Sequence, residues 1–131
     1  MPDIFCYPGS LNQVFMNIIL NAIQAIPQRG TIRITTRLLP KSDRSVSDSI
    51  EVVIQDSGMG IRPEIRQKIF DPFFTTREVG QGVGLGLTIS YSIVEKHEGN
   101  IDFKSEPGKG TEFIIRLPVE SAILKKRLVS A

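Results

Sequence analysis

The sequence predicts an α+β fold in which helices and strands alternate along the chain and pack in layers. Three observations lead there. Leu11–Ile26 and Leu85–Lys96 carry apolar residues at helical spacing. Thr31–Leu38 alternates apolar with polar side chains, as a half-buried strand does. Gly99-Asn100 and Pro107-Gly108 then punctuate two short strands closely enough to form a hairpin-like pair, an order that favours an α+β layer arrangement.

Taken in order, Ile4-Phe5-Cys6-Tyr7 reads as a short strand ended by Pro8-Gly9, with Cys6 a small buried hydrophobe at its end. Ser10 is the expected N-cap of the first helix. Leu11, Val14, Phe15, Ile18, Ala22 and Ile26 form that helix's buried side, and Pro27 stops it. Gly30 opens the strand Thr31–Leu38, residues 40–49 form a polar hairpin loop, and Ile50–Ile54 is a second strand that delivers Asp56. Arg62–Phe70 has the pattern of a short helix, with Pro63 tolerated in its first turn and Asp71-Pro72-Phe73-Phe74 breaking it. Residues 75–83 lack apolar periodicity and read as a loop. In the second long helix, Leu87, Ile89, Tyr91, Ile93 and Val94 are expected on the buried side. Strands at Ile101–Phe103 and Glu112–Leu117 follow, and Pro118 ends the last one. One domain over residues 1–118 is expected, with 119–131 as a solvated tail that includes Lys125-Lys126-Arg127.

A chain of 131 residues with 40% hydrophobic and 23% charged residues suits one domain with a core that needs no staples. The net charge of +2, without a basic stripe interleaved with aromatics, argues against a nucleic-acid partner. A single cysteine excludes an intrachain disulfide framework and a Cys-based zinc site. No run approaches the roughly 18 apolar residues of a membrane span. Met1-Pro2-Asp3 does not resemble a secretory leader. A cytoplasmic location without membrane contact is therefore the expectation.

Asn17 and Asn21 are four apart and share one helix face. Alone, the pair fits an exposed polar face. Ala22 and Ala25 beside it leave room for something to approach, and an amide oxygen is a serviceable ligand for Mg²⁺. Asp56 alone is an ordinary turn former. Followed by Gly58 and Gly60, it can instead accept a hydrogen bond from an exocyclic amine such as adenine N6. The ladder Gly80-Gln81-Gly82-Val83-Gly84-Leu85-Gly86 does not follow a buried strand, so a dinucleotide fingerprint fails. Gly108-Lys109 is followed by Gly110, not Ser or Thr, so a P-loop fails as well. The ladder fits a flexible lid that runs into a helix N-terminus near Gly84–Leu85, where backbone N–H groups receive phosphate. Arg77 lies in that lid and is either a triphosphate partner or a solvated surface residue. Phe73 and Phe74 fit anchors of the lid hinge, and His97 an ordinary residue at a helix end. Together these elements describe an ATP site.

Five motifs in this order resemble the catalytic and ATP-binding domain of sensor histidine kinases. Gln13–Ala22 resembles the N box, Asp56-Ser57-Gly58-Met59-Gly60 the first glycine box, and Asp71–Thr76 the phenylalanine box. Gly80–Leu87 resembles the second glycine box, and Gly108–Phe113 the short motif near the domain's end. The resemblance implies a Bergerat fold, a two-layer sandwich with a mixed, mostly antiparallel sheet under helices, with ATP on the helical side. It implies that Asn21 holds Mg²⁺ with Asn17 nearby, and that Asp56 binds the adenine amine between Gly58 and Gly60. Gly82, Gly84 and the Leu85 amide would meet the phosphates, and Thr111 would reach adenine through water. Ile61, Thr75, Thr76, Gly80, Val83 and Gly86 complete the implied nucleotide set. Asn17, Asn21 and Arg77 are the implied catalytic residues.

Three departures stand out. Gln24 and Ala25 replace a cation and an aromatic common in the family, and no phosphoacceptor hairpin domain is present, so the chain reads as the catalytic piece of a longer kinase. Related ATPases carry a general-base Glu where Asn17 stands, so slow hydrolysis and transfer to an external histidine are expected. The implied partners are the parent's dimerisation and phosphoacceptor domain and a response regulator downstream. The rivals are another ATPase or serine kinase of the group, or a module that binds nucleotide without catalysis.

Overall fold

In the computed structural model, residues 6–40, 48–61, 63–64 and 84–119 are described, with backbone alone at 84–86. The expected strand at Ile4-Phe5, the loop over 41–47, the body of the Arg62–Phe70 helix, the 75–83 loop and the tail from 120 lie outside these residues. The described elements are α1 (Pro8–Ala25), β1 (Ile32–Leu39), β2 (Ser49–Asp56), α2 (Gly84–Lys96), β3 (Asn100–Glu106) and β4 (Gly110–Pro118). Two helices on one four-stranded sheet make an α+β two-layer fold.

Helix α1 starts two residues before the expected cap. Pro8 occupies its first turn, and Tyr7, with extended backbone and no side-chain cap, is the N-cap. A proline fixes φ for the first turn and lacks an N–H that would go unpaired there, so it displaces Ser10 from the cap position. Leu11, Val14, Ile18 and Ala22 are buried as expected. Ile26, just before Pro27, is extended and ends the helix. Cys6 is half-buried against the core without forming a strand, and its burial pushes the thiol pKa up.

The sheet order is β1-β2-β4-β3, and every described neighbour is antiparallel. Ile50, Val52 and Ile54 of β2 and Phe113, Ile115 and Leu117 of β4 meet Leu11, Val14, Ile18 and Val94 in the core. Burying each such side chain stabilises by about 1.5–3 kcal/mol. Strand β1 departs from expectation. Its apolar alternation is present, yet Ile34 and Leu38 are 53% and 43% exposed. It is an edge strand paired with β2, and α1 packs over β2 and β4.

On the second helix the buried residues are Ser90, Val94 and His97, with Leu87 and Ile93 packed partly against the core. Ile89 and Tyr91, expected inside, are 37% and 41% exposed. A stripe at 87, 90, 94 and 97 follows the helical period better than the run of apolar residues did. The helix closes with Glu98 N–H on the Glu95 carbonyl and Gly99 N–H on the Val94 carbonyl. Glu98 takes the left-handed conformation at φ 59° in that motif.

The face away from the helices carries a buried carboxylate between two arginines. Glu51 sits opposite Arg37 on one side and Arg116 on the other. Arg37 Nε donates to Glu51 Oε1 at 2.7 Å and Arg116 Nε to Oε2 at 2.9 Å. Burial alone would push the Glu51 carboxyl up, but the hydrogen bonds and charges of Arg37 and Arg116 outweigh it and hold the pKa below 4.5. The stability from this row is thus present above pH 4.5 and is lost as pH falls through the lowered value. Glu51→Gln is expected to destabilise the chain by about 1–2 kcal/mol at pH 7, a range kept low by the exposure of the two arginines. The gap from the parent should close below pH 4.5 in pH-resolved urea melts, and a gap independent of pH would contradict the assignment.

Candidate active site

Among the described residues, Asn21, Asp56, Gly58, Gly60, Gly84–Gly86 and Thr111 lie toward one end of the fold because of how the two helices run. The N-cap of α1 touches the end of α2, where Tyr7 N–H donates to His97 Nε2 at 3.0 Å. Further along, Asn17 Nδ2 donates to Ser90 Oγ at 3.3 Å. Advancing along α1 therefore means retreating along α2, so the helices are antiparallel. The C-terminal half of α1, with Asn21 and Ala25, lies at the same end as Gly84–Gly86 at the start of α2. Asp56, the last residue of β2, pairs with Thr111 of β4 and Ile32 of β1 at the corresponding end of the sheet.

The loop after Asp56 binds these pieces together. Ser57 N–H donates to the Thr31 carbonyl at 3.1 Å, and Met59 N–H to the Ala25 carbonyl at 3.1 Å. The Met59 carbonyl accepts from Gly108 N–H at 2.8 Å. Ile61 N–H ends on Ser105 Oγ at 2.7 Å. One loop thus joins helix α1, strand β1 and the β3–β4 hairpin. Gly58 is packed so closely against α1 that a Cβ there would lie 2.5 Å from the Ala25 carbonyl oxygen. Gly60, at φ 76°, lies against the Glu106 carbonyl. Both glycines are therefore needed for loop docking.

Asp56 is 6% exposed. Its Oδ1 accepts from Gly58 N–H at 2.8 Å. Burial raises its pKa above 3.8, and the backbone donors of Gly58 and Thr111 only partly offset that. The sign follows: ionised Asp56 is penalised in the fold above its raised value, and the penalty fades as pH falls through it. A further donor reaching this carboxylate would favour the charged form. Thr111 is buried, with Oγ1 2.9 Å from Ser105 Oγ, and Ser105 Oγ donates to the Gly110 carbonyl at 3.2 Å.

Asn21 and Asn17 are half-buried on α1, one turn and two turns before Ala25. No cluster of three or more His, Cys, Asp and Glu gathers among the described residues. Gly84, Leu85 and Gly86 form the first turn of α2, whose N–H groups have no intrahelical acceptor. Thr75, Thr76, Arg77, Gly80, Gly82 and Val83 lie outside the described residues. Beside Asp56, a polar depression of ≈ 240 Å³ is lined by Thr31, Arg33, Gln55, Asp56, Ser57 and Lys109. Arg33 and Gln55 belong to the sheet's outer face, so this depression is not the space under the helices.

The model of the histidine kinase-, DNA gyrase B- and HSP90-like ATPases matches residues 7–121. The chain belongs to this ATPase family. Similar proteins include kinases: it is 40% identical to sporulation kinase E of Bacillus subtilis over 97% of this chain and 16% of that protein. It is 45% identical to the histidine-protein kinase AtoS of Escherichia coli over 83% of this chain and 17% of that protein. The chain thus spans about a sixth of the length of these relatives. Among solved structures, the catalytic domain of histidine kinase ThkA is similar at a TM-score of 0.72 and 34% identity, over 89% of this chain and 71% of that one. Full-length ShkA, in complex with AMPPNP, gives 0.74 and 28% identity over 93% of this chain and 24% of that one. The chain is an ATPase domain of the sensor histidine kinase type.

Ser90 drew no expectation from the sequence, His97 was expected as an ordinary helix-end residue and lies at the far end of the helix pair from Asp56, and Ser105 drew none either. Each is polar and buried, at 0%, 2% and 8% exposure. His97 is more than a helix-end residue. Because Nε2 accepts from Tyr7, Nδ1 carries the proton and donates to the Ile93 carbonyl at 2.8 Å. The spacing 87-90-94-97 was a usable signal for Ser90 and His97, and an apolar count passes over it.

Two outcomes follow from this geometry. Carbon-detected NMR should place the Asp56 carboxyl midpoint above 3.8, and a value at or below 3.8 would mean that the backbone donors dominate. Gly58→Ala should cost about 1–3 kcal/mol in urea melts, because the loop and the α1 terminus must separate. A neutral result would show that the loop yields freely.

Proposed function

We propose that this domain binds Mg-ATP and donates its γ-phosphoryl to a histidine on a separate dimerisation domain of a longer parent protein. A response-regulator receiver domain would take the group onward. The observation that carries this is the convergence at one end of the fold: buried Asp56, the amides of α1 and the N-terminal turn of α2. The names of the similar proteins, sporulation kinase E and the histidine-protein kinase AtoS among them, support the class of reaction.

In this reading Asp56 accepts the adenine 6-amino group, with Gly58, Gly60 and Ile61 lining the base and Thr111 reaching it through water. A carbonyl at the same place, as in guanine, would face a buried acceptor and lose about 1–3 kcal/mol. Asn21 supplies an amide oxygen to Mg²⁺, and Asn17 lies one turn earlier on the same face. When bound, Mg²⁺ neutralises charge on the phosphates. Gly84, Leu85 and Gly86 present backbone N–H groups to phosphate oxygens. Thr75, Thr76, Arg77, Gly80, Gly82 and Val83 are assigned to the triphosphate and its cover from sequence.

Catalysis here is positioning plus charge stabilisation. An amide at position 17 cannot accept a proton near neutrality, so the site does not activate water and keeps the γ-phosphoryl for a stronger nucleophile. A cytoplasmic setting fits this role, and no described helix is long and apolar enough to cross a membrane.

Calorimetry should detect binding of Mg-ATP, and Asn21→Ala should weaken the Mg²⁺-dependent part by at least about tenfold, or 1.4 kcal/mol, while leaving the fold intact. Unchanged affinity would remove the metal assignment. Binding of ATP should also lower the Asp56 midpoint, since the amine favours the ionised carboxylate, whereas GTP should not. Intrinsic hydrolysis should be slow beside transfer to a supplied histidine-bearing hairpin domain, and brisk hydrolysis without transfer would overturn the kinase reading.

A further inference from the structure

Glu51 shows how the outer face of this sheet settles a positive charge. Its carboxylate stands between Arg37 and Arg116 and takes one guanidinium on each oxygen. Toward the Asp56 end, β1 and β2 repeat the arrangement without the carboxylate. Arg33 lies opposite Gln55 as Arg37 lies opposite Glu51. Among the described residues, ion pairs hold Arg37, Lys109 and Arg116 but not Arg33. Arg33 and Gln55 line the depression of ≈ 240 Å³ together with Thr31, Asp56, Ser57 and Lys109. Lys109 brings a second cation, held by an ion pair with Glu106 at 3.2 Å that contributes little because both side chains are exposed. The Ser57 hydroxyl accepts from Thr31 N–H at 2.8 Å, which leaves its own proton to donate. Asp56 is the one acid in the lining, and its carboxylate is buried and engaged by Gly58 N–H. Glu112, on the far side of Gln55, is paired in register with Lys104.

We propose that this depression is an oxyanion site. An external carboxylate or phosphate group takes, between Arg33 and Lys109, the place that Glu51 takes between Arg37 and Arg116. Guanidinium, ammonium and hydroxyl donors suit a group that only accepts, and hydrogen bonds assisted by charge are roughly twice as strong as neutral ones. The neutral Gln55 carboxamide completes the lining without opposing a negative ligand. The site lies on the face away from the helices, so it is separate from the nucleotide site and does not depend on that reading. Its donors nevertheless come from the three pieces that meet at the Asp56 loop. Arg33 belongs to β1, Ser57 to the loop itself and Lys109 to the turn between β3 and β4. An oxyanion held by all three would clamp from outside what the Ser57–Thr31 and Gly108–Met59 hydrogen bonds join from within.

Inorganic phosphate, and separately N-acetylglutamate, titrated into the full 131-residue chain at fixed ionic strength should shift the amide resonances of Thr31, Arg33, Ser57 and Lys109. With at least one probe the shifts should saturate, at a midpoint on the order of millimolar for cations this exposed. The probe that saturates identifies the group the site takes. Gln55→Glu, Arg33→Gln and Lys104→Gln each make the chain more negative by the same single charge. Gln55→Glu supplies the missing carboxylate from within and Arg33→Gln removes the guanidinium, so each should weaken binding at least about fivefold. Lys104→Gln, outside the depression, should leave it within about twofold. Glu106→Gln should tighten binding about twofold by releasing Lys109. Saturation by neither probe, or equal losses in the three charge-matched variants, would overturn the site and leave only a diffuse response to charge. Neither result bears on the nucleotide reading, which Mg-ATP binding tests on the helical side.

Discussion

The hydrogen bond from Met59 N–H to the Ala25 carbonyl is the joint on which the site depends. A helix C-terminus has carbonyls without intrahelical donors, and here one of them is satisfied by the loop that follows the site carboxylate. That single contact sets the distance between the amides of α1 and Asp56. It requires that nothing larger than hydrogen stand at position 58, where the loop backbone touches Ala25. The same residue, Met59, accepts from Gly108, so the β3–β4 hairpin is tied into the joint from the other side. A shift of any one of the three pieces would be felt by the other two.

The helix pair has a corresponding logic. Its contacts are apolar at Val14, Ile18 and Val94 but polar at both Tyr7–His97 and Asn17–Ser90. Apolar contact between helices is tolerant of sliding by part of a turn, whereas a directional donor–acceptor pair is not. Two such pairs along the length of α1 define one register. The phosphoryl transfer proposed for this domain would demand that registry, since reacting groups must be closely placed. Buried polar residues here trade some stability for definition of geometry.

The sheet supplies the rigid base. Its outer face is held by a carboxylate shared between guanidinium groups of two flanking strands, one on each oxygen. Opposite charges directly across neighbouring strands fix strand pairing as apolar contact cannot. The inner face then places Asp56 and Thr111 in register at one end. Thr31, just before strand β1, anchors the loop, and β1 itself, outermost and only lightly covered, adds little to the core.

Much of this was legible in the residues alone. Helical spacing located α1, alternation located β1, and turn residues bracketed the strands that follow. These are local signals, set by backbone sterics and by which residue types tolerate close approach or bind hard cations. The tertiary structure decided what local pattern cannot carry. The buried face of α2 includes Ser90 and His97 because partners on α1 satisfy them, while Ile89 and Tyr91 on the neighbouring face stay exposed. Tyr7 is the cap because Pro8 opens the helix, and its N–H is taken by His97, ninety residues away. Gly58 and Gly60 proved to serve loop docking, which becomes visible only once Ala25 and Glu106 are beside them. A sequence records the chemistry each residue can perform, and packing over long separations determines which partner each one meets.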